Sequence, residues 1–171
     1  MKLVLVGYMG SGKSVIAKKL SEKLQILYVE LDDLIEQRQK KSIKLIFEQD
    51  GELFFRKLEH QIFKELLDSD ANLIISTGGG TPCYYDNYKF LNAKNVSSIY
   101  LKASVDTLTD RLVSEQNNRP LLANLSQIEL QDFVAKHLFE RSFYYHKAHF
   151  IVDVDNKIVE AIAQEISALL A

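Results

Sequence analysis

The stretch Leu3-Val4-Leu5-Val6-Gly7-Tyr8-Met9-Gly10-Ser11-Gly12-Lys13-Ser14 joins an apolar run to the spacing G-x-x-x-x-G-K-[ST]. The apolar run predicts a short buried strand, and residues 15–20 predict the first turns of a helix. This setting favours a phosphate-binding loop, because inward-facing N–H groups and the positive helix N-terminus together attract an anion. The alternative is a glycine-rich turn from strand to helix that holds no ligand.

The polar groups of such a loop have separate expected roles. Lys13 would reach the β- and γ-phosphates of a nucleotide, and the Ser14 hydroxyl would ligate Mg²⁺. We therefore expect a bound nucleotide and Mg²⁺ as cofactor, with the phosphates on Gly10, Ser11, Gly12, Lys13, Ser14 and Val15, although the loop alone does not separate kinases, ATPases and GTPases.

Composition limits the classes of protein to consider. The 171 residues predict a single domain, 1–171, with 47% hydrophobic and 26% charged residues. A net charge of −2 provides no basic surface for nucleic acid. Cys83 is the sole cysteine, which rules out an internal disulfide and fits a reducing cytoplasm. The N-terminal apolar run is too short for a signal peptide, and no stretch approaches a membrane span.

Strand-like and helix-like segments alternate along the chain. Short β-type runs follow the first strand at 26–31, 73–76, 98–101 and 150–154, with longer helical stretches between them. Such alternation predicts an α/β fold, with a parallel sheet covered by helices on both faces. The polar segment 116–125 precedes a capping-box pattern at Ser126 and Glu129, and is a candidate lid between two helices.

The class of nucleotide enzyme follows from what else the chain contains. A GTPase usually carries N-K-x-D, but Asn156-Lys157-Ile158-Val159 lacks the aspartate, and a motor ATPase would normally be longer. The four histidines form no convincing metal-binding pattern. A small-molecule kinase remains, and it needs a second pocket for the acceptor hydroxyl.

Acidic residues end the second predicted strand in the order Glu30-Leu31-Asp32-Asp33. Open α/β sheets bind ligands beyond the carboxyl ends of their strands. Alternation along the strand would direct Glu30 and Asp32 to one face, where they could support Mg²⁺ and orient an attacking hydroxyl. The alternative is that Asp32 or Asp33 only caps the following helix.

Two arginines have unusual positions for charged residues. Arg141 continues an apolar helical stripe formed by Leu130, Val134 and Leu138. In the helix predicted over 52–67, Glu59 falls within the apolar face and Arg56 lies at its edge. An anion site would explain both arginines, but so would an internal Arg56–Glu59 pair and a snorkelling Arg141.

The chain resembles the shikimate kinases from its first strand to its last helix. The resemblance depends on the phosphate loop, on Asp32, on the pattern F-R-x-x-E, on a triple glycine, on R-P-L-L and on R-x-x-x-Y. In this chain these are residues 7–14, Asp32 with Ile35-Glu36, 50–59, 76–80, 119–122, and Arg141 with Tyr145. The phosphate loop is generic, whereas the other motifs at these spacings are specific.

The resemblance implies transfer of the γ-phosphoryl group of ATP to the 3-hydroxyl of shikimate, a step in chorismate and aromatic amino acid biosynthesis. It implies a P-loop fold like that of the nucleoside monophosphate kinases, with sheet order 2-3-1-4-5, a shikimate-binding region at about 31–60 and a lid at about 116–125. Catalysis would involve Lys13, Asp32 and Arg119. The substrate would lie against Asp32, Arg56, Gly78, Gly79, Gly80 and Arg141, with Glu59 supporting Arg56. Arg111, Arg119 and Asp155 would contact the nucleotide.

One position departs from the family pattern. The family usually shows D-x-D where this chain has Glu30-Leu31-Asp32, so the first acid is one methylene longer. We expect Mg²⁺ on Ser14, on Glu30 through water, and on Asp32 as a further candidate ligand. We also expect a cytoplasmic monomer. The alternatives are a gluconate or nucleotide kinase of the same fold, or a nucleotide-binding module without catalysis.

Overall fold

The chain forms one parallel sheet wrapped by helices. The structure, a computed structural model, describes residues 1–116 and 122–171. The strands are β1 Lys2–Val6, β2 Leu27–Glu30, β3 Leu73–Ser76, β4 Val96–Lys102 and β5 Phe150–Asp153. The helices are α1 Lys13–Leu24, α2 Leu31–Gln39, α3 Ile43–Asp50, α4 Glu52–Asp68, α5 Val105–Val113, α6 Gln127–Tyr145 and α7 Val159–Leu169, with short 3₁₀ turns at Thr81–Cys83 and Asn87–Asn92.

The sheet has the predicted order β2-β3-β1-β4-β5, and every neighbouring pair of strands is parallel. All five residues of β1 are buried. Because successive side chains of a strand point to opposite faces, both faces of the central strand are covered. The carboxyl ends of β1, β2 and β3 therefore open on one edge, where α1, α2 and the triple glycine begin.

The five predicted strands are confirmed, with ends that shift by at most two residues. One detail of the second strand is wrong. The strand ends at Glu30, and α2 begins directly at Leu31, so Asp32 lies in the first helical turn and not on a strand face with Glu30. Neither Asp32 nor Asp33 caps this helix, because its N-cap residue is Glu30. The chain turns into a helix with no connecting loop, which alternation along a strand could not reveal.

The predicted capping box at the start of α6 is present. The Ser126 hydroxyl accepts a hydrogen bond from the Glu129 N–H, and the Glu129 carboxylate accepts one from the Ser126 N–H. These bonds satisfy two N–H groups that have no partner within the helix. The cap fixes the start of the helix that carries Arg141 on its last turns.

The predicted lid, 116–125, connects α5 and α6, but residues 117–121, which include Arg119, lie outside the described residues. The Gln116 side-chain amide donates to the carbonyl oxygens of Leu122 and Leu125, at 3.1 and 2.9 Å. Leu122 is buried in the main core. The end of the predicted lid is therefore anchored. In the two described ranges, no helix combines the length and the apolarity needed to cross a membrane.

We expect Ser126→Ala to lower the free energy of unfolding by about 1 kcal/mol, because the variant loses the hydroxyl that accepts from the Glu129 N–H and keeps only the backbone N–H that donates to the Glu129 carboxylate. Urea unfolding at neutral pH measures the change. Ser167→Ala is the matched control, since its hydroxyl bonds back to the Ala163 carbonyl within α7 and caps nothing. Equal unfolding midpoints for the two variants would contradict a stabilising cap.

Candidate active site

A cavity of about 730 Å³ opens at the carboxyl edge of the sheet. Its wall includes residues of the phosphate loop and all three residues of the triple glycine. The residues predicted from sequence that line it are Gly10, Ser11, Gly12, Lys13, Ser14, Val15, Glu30, Asp32, Arg56, Glu59, Gly78, Gly79, Gly80, Arg111 and Arg141. The fold therefore brings these predicted nucleotide and substrate residues into one site.

The phosphate loop adopts the expected backbone curl. Gly10 and Gly12 have φ angles of 82° and 94°, in the left-handed region that side chains with a Cβ rarely adopt. Lys13 lies at the first position of α1 and its ammonium donates to the carbonyl oxygens of Gly7 and Tyr8, at 2.8 and 3.0 Å. These bonds hold the lysine across the loop, at the helix N-terminus where an anion is favoured.

A second cationic centre forms around Arg56. Its Nη1 donates to Glu59 Oε2 at 2.9 Å, and Glu59 is almost fully buried. The other carboxylate oxygen of Glu59 accepts from the Thr81 hydroxyl at 2.6 Å. Arg56 and Glu59 thus form the internal pair proposed as one alternative, and the same arginine lines the cavity.

The triple glycine packs directly against the charged groups. A Cβ at Gly80 would lie 2.7 Å from Arg56 Nη2, and one at Gly79 would lie 3.3 Å from Arg141 Nη1. A Cβ at Gly78 would lie 2.9 Å from Asp32 Oδ1. Only bare backbone leaves room for these contacts. The three glycines therefore form a common floor beneath both arginines and the acid.

Arg141 reaches the cavity from the end of α6. Its guanidinium carbon lies 5.9 Å from the centre of the Tyr8 ring. Below it, the Tyr145 hydroxyl donates to the Gly79 carbonyl at 2.6 Å, which ties the last turn of α6 to the glycine floor. The charge at the end of an apolar stripe is thus explained by the cavity into which it extends, and not by snorkelling to the surface.

Asp32 is positioned between the two cationic centres. Burial raises the pKa of its carboxyl to about 6, and the nearby Glu59 and Glu30 carboxylates act in the same direction. Lys13 and Arg56 favour the ionised form and limit the rise. A carboxyl with this pKa is ionised at neutral pH yet can accept a proton, which suits a general base.

Oxygen donors meet beside the phosphate loop. Ser14 and Glu30 both line the cavity, and Glu30 Oε1 is buried without a hydrogen-bond partner among the described residues. Hydroxyl and carboxylate oxygens are the ligands that Mg²⁺ prefers. Nowhere in residues 1–116 and 122–171 do three His, Cys, Asp or Glu side chains group to hold a metal. The donors thus fit a Mg²⁺ that keeps water and phosphate ligands.

Two predicted nucleotide residues have different surroundings. Arg111 Nη1 donates to the Gly10 carbonyl at 3.0 Å and lines the cavity. Asp155 does not line the cavity. Both oxygens of its carboxylate accept from the Ser104 N–H, at 3.0 and 3.2 Å. Asp155 therefore holds the β4–α5 connection to the loop after β5.

Sequence reasoning missed several residues of the site. Thr81 supports Glu59, Tyr84 covers Arg56, and His137 lines the cavity with its Nδ1 3.0 Å from the Tyr8 hydroxyl. Burial lowers the pKa of His137, and the Arg141 charge acts in the same direction. For Thr81, the available clue was its position directly after the triple glycine. Tyr84 and His137 gave no such clue, because their contacts join distant parts of the chain.

The fold and the site define a P-loop kinase whose cavity also contains two arginines beside a triple glycine. The family model described as shikimate kinase matches residues 9–171, and the chain belongs to that family. Curated shikimate kinases from Flavobacterium johnsoniae and Flavobacterium psychrophilum are 54% and 50% identical to it, over 99% of this chain and 99% and 98% of theirs.

Solved structures agree with this assignment. A shikimate kinase from Bacteroides thetaiotaomicron has a TM-score of 0.92 at 34% identity, covering 99% of this chain and 98% of that one. A shikimate kinase from Acinetobacter baumannii in complex with shikimate has a TM-score of 0.87 at 30% identity, covering 99% and 92%. A gluconokinase from Sinorhizobium meliloti, 16% identical with a TM-score of 0.64, shares only the fold.

The raised pKa predicts opposing effects of Asp32 on activity and stability. The folded state holds this proton more tightly than the unfolded chain, whose pKa is near 3.8, so the contribution of Asp32 to stability falls as pH rises from about 4 to about 6. We expect Asp32→Asn to lower kcat about a hundredfold or more, yet to stabilise the protein by about 1 to 3 kcal/mol at pH 7.

Activity and thermal unfolding between pH 5 and 8 measure both effects. The wild-type kcat/KM should fall below about pH 6, and the stability difference should shrink there. Asp33→Asn is the matched control, because its side chain is exposed one residue away. A folded Asp32→Asn protein with near wild-type kcat would contradict the assignment.

Proposed function

We propose that this chain transfers the γ-phosphoryl group of ATP to the 3-hydroxyl of shikimate and so acts in aromatic amino acid biosynthesis. The observation that carries the proposal is the arrangement of Asp32 between Lys13 and the Arg56–Arg141 pocket in one cavity. A phosphate site and a carboxylate site separated by an acid match a substrate that has a carboxylate at one end and a reacting hydroxyl at the other.

Charge and geometry would both contribute to binding of the substrate carboxylate. Two guanidinium groups over a glycine floor provide paired N–H donors for the two oxygens of a planar carboxylate. Glu59 and Thr81 hold Arg56 in place before the substrate arrives, so little of its freedom is lost on binding. The ring hydroxyls would then face Asp32.

Phosphoryl transfer would follow from positioning and charge. Asp32 would orient the hydroxyl and accept its proton, while Lys13 and the loop N–H groups would stabilise the charge on the phosphates. Arg111 would lie beside the nucleotide, and Asp155 would order the loop that flanks it. Arg119 is assigned by family resemblance to neutralise phosphate charge and stays a prediction, as does closure of a lid over 116–125.

Mg²⁺ would be held by the Ser14 hydroxyl and, through water, by Glu30, with Asp32 as a further candidate ligand. Bound there, it would offset the negative charge of the phosphates. The longer Glu30 side chain is compatible with this role because a water-mediated contact tolerates a change of one methylene.

We expect the protein to act in the cytoplasm as a monomer. Size-exclusion chromatography with light scattering would test the monomeric state.

The proposed reaction is tested by ADP release from ATP with shikimate, gluconate, a nucleoside monophosphate or no acceptor. We expect release with shikimate only. Faster release with gluconate or a nucleotide would favour the other kinase class, and no release with any acceptor would favour a binding module.

Changing Arg56 or Arg141 to lysine should raise the KM for shikimate about tenfold or more, because lysine keeps the charge and loses the bidentate fork. The KM for ATP should change little. Steady-state kinetics with each substrate varied in turn measure both constants. Arg38→Lys is the matched control, as Arg38 pairs with Glu65 at the surface. A rise confined to the KM for ATP would contradict carboxylate binding.

Replacing Glu30 tests its link to the metal. Glu30→Ala should shift the Mg²⁺ dependence about tenfold upward and lower kcat, because outer contacts orient the metal ligands. Glu30→Asp should stay close to wild type. Titration of Mg²⁺ at saturating ATP and shikimate measures the shift. A wild-type curve for Glu30→Ala would reduce Glu30 to a strand-end acid.

A further inference from the structure

The Tyr84 side chain covers the outer face of Arg56. The Arg56 guanidinium carbon lies 4.1 Å from the centre of the Tyr84 ring, closer than the 5.1 Å to the Phe55 ring. The Tyr84 hydroxyl donates to Glu52 Oε1 at 3.1 Å, and the same oxygen lies 3.6 Å from Arg56 Nε. The Tyr84 ring and the Glu52 carboxylate thus contact Arg56 in addition to its bond to Glu59.

Local backbone structure explains why Tyr84 reaches this position. The chain leaves Gly80 through the 3₁₀ turn Thr81–Cys83, with Pro82 at its start and the Cys83 N–H bonded to the Gly80 carbonyl at 2.9 Å. Tyr84 follows in an extended conformation. One short segment therefore supplies both the glycine floor beneath Arg56 and the aromatic ring that covers it.

Tyr84 does not line the cavity but stacks on Arg56, which does. Burial raises the pKa of the Tyr84 phenol, which keeps its proton available for Glu52 at neutral pH. We propose that Tyr84 is a positioning residue that locks the Arg56 guanidinium in the orientation that receives the substrate carboxylate. The inference deepens the proposed function and rests on it.

The ring restricts Arg56 in two ways. A guanidinium stacked on an aromatic face has few rotamers left, so the fork is ordered before the carboxylate arrives. The stack also shields one face from water, which strengthens the attraction to an anion at the open edge. Cation–π contacts of this kind correspond to about a twofold to thirtyfold change in a binding constant.

The test compares Tyr84→Leu with Tyr84→Phe and with a neighbouring control. Tyr84→Leu removes the stack, whereas Tyr84→Phe keeps it and loses only the bond to Glu52. Tyr85→Leu is the control, because the adjacent tyrosine is exposed and stacks on His60, away from Arg56. The measurements are the KM for shikimate, the KM for ATP, kcat, the Kd for shikimate by calorimetry, and the midpoint of thermal unfolding.

We expect Tyr84→Leu to raise the KM and the Kd for shikimate about tenfold, with the KM for ATP unchanged. Tyr84→Phe should recover most of the affinity, and Tyr85→Leu should match wild type. In an Arg56→Lys background, Tyr84→Leu should add little, because the stacked fork is already lost.

The first two of three results that would overturn the inference concern the KM for shikimate. One is an unchanged KM for shikimate in Tyr84→Leu, and the other is an equal loss from Tyr84→Leu in the wild-type and Arg56→Lys backgrounds. A rise in both KM values together with a lower unfolding midpoint would also reject it, as a structural role alone would do this. Failure of the wild-type protein to bind shikimate would instead reject the proposed function.

Discussion

The buried ion pair between Arg56 and Glu59 is the constraint on which the rest of the site depends. Burying two charges is unfavourable unless each finds good partners, and losing one partner of such a pair commonly costs about 3 to 5 kcal/mol. Here Glu59 bonds both Arg56 and Thr81, and Arg56 packs on Gly80. The pair thereby locks α4 to the segment that follows β3, and Arg56 on the edge of this locked unit lines the cavity where we propose that the substrate carboxylate binds.

The position of Asp32 follows from the same arrangement. Its carboxyl packs on Gly78, and the charges of Glu59, Arg56 and Lys13 are close enough to affect its pKa. Burial and the neighbouring carboxylates raise the pKa of Asp32. The charges of Lys13 and Arg56 limit this rise, so the carboxyl is ionised at neutral pH. Asp32 is thus held where its charge lowers stability, as expected for the proton-transfer role proposed for it, since function and stability often compete.

The sequence predicted the frame of the molecule and many of its chemical groups. Helical periodicity singled out Arg141 and Glu59 because a charge in an apolar stripe needs a reason, and the strand pattern predicted the sheet. The strand pattern wrongly placed Asp32 at the end of β2 and not in α2, because alternation along a strand cannot show that a helix begins directly after it. Thr81 and Tyr84 were missed because their partners lie on α4, more than twenty residues earlier, and only the folded chain brings them together.

In the proposed site, Arg56 and Arg141 bind the substrate carboxylate, and Asp32 orients the reacting hydroxyl toward the phosphate loop. The most direct measurement is a crystal structure with shikimate and a non-hydrolysable ATP analogue. The expected result is a carboxylate between Arg56 and Arg141 above the glycine floor, with a ring hydroxyl within hydrogen-bond distance of Asp32 and facing the γ-phosphate. A carboxylate bound to the phosphate loop, or a ring hydroxyl far from Asp32, would contradict it.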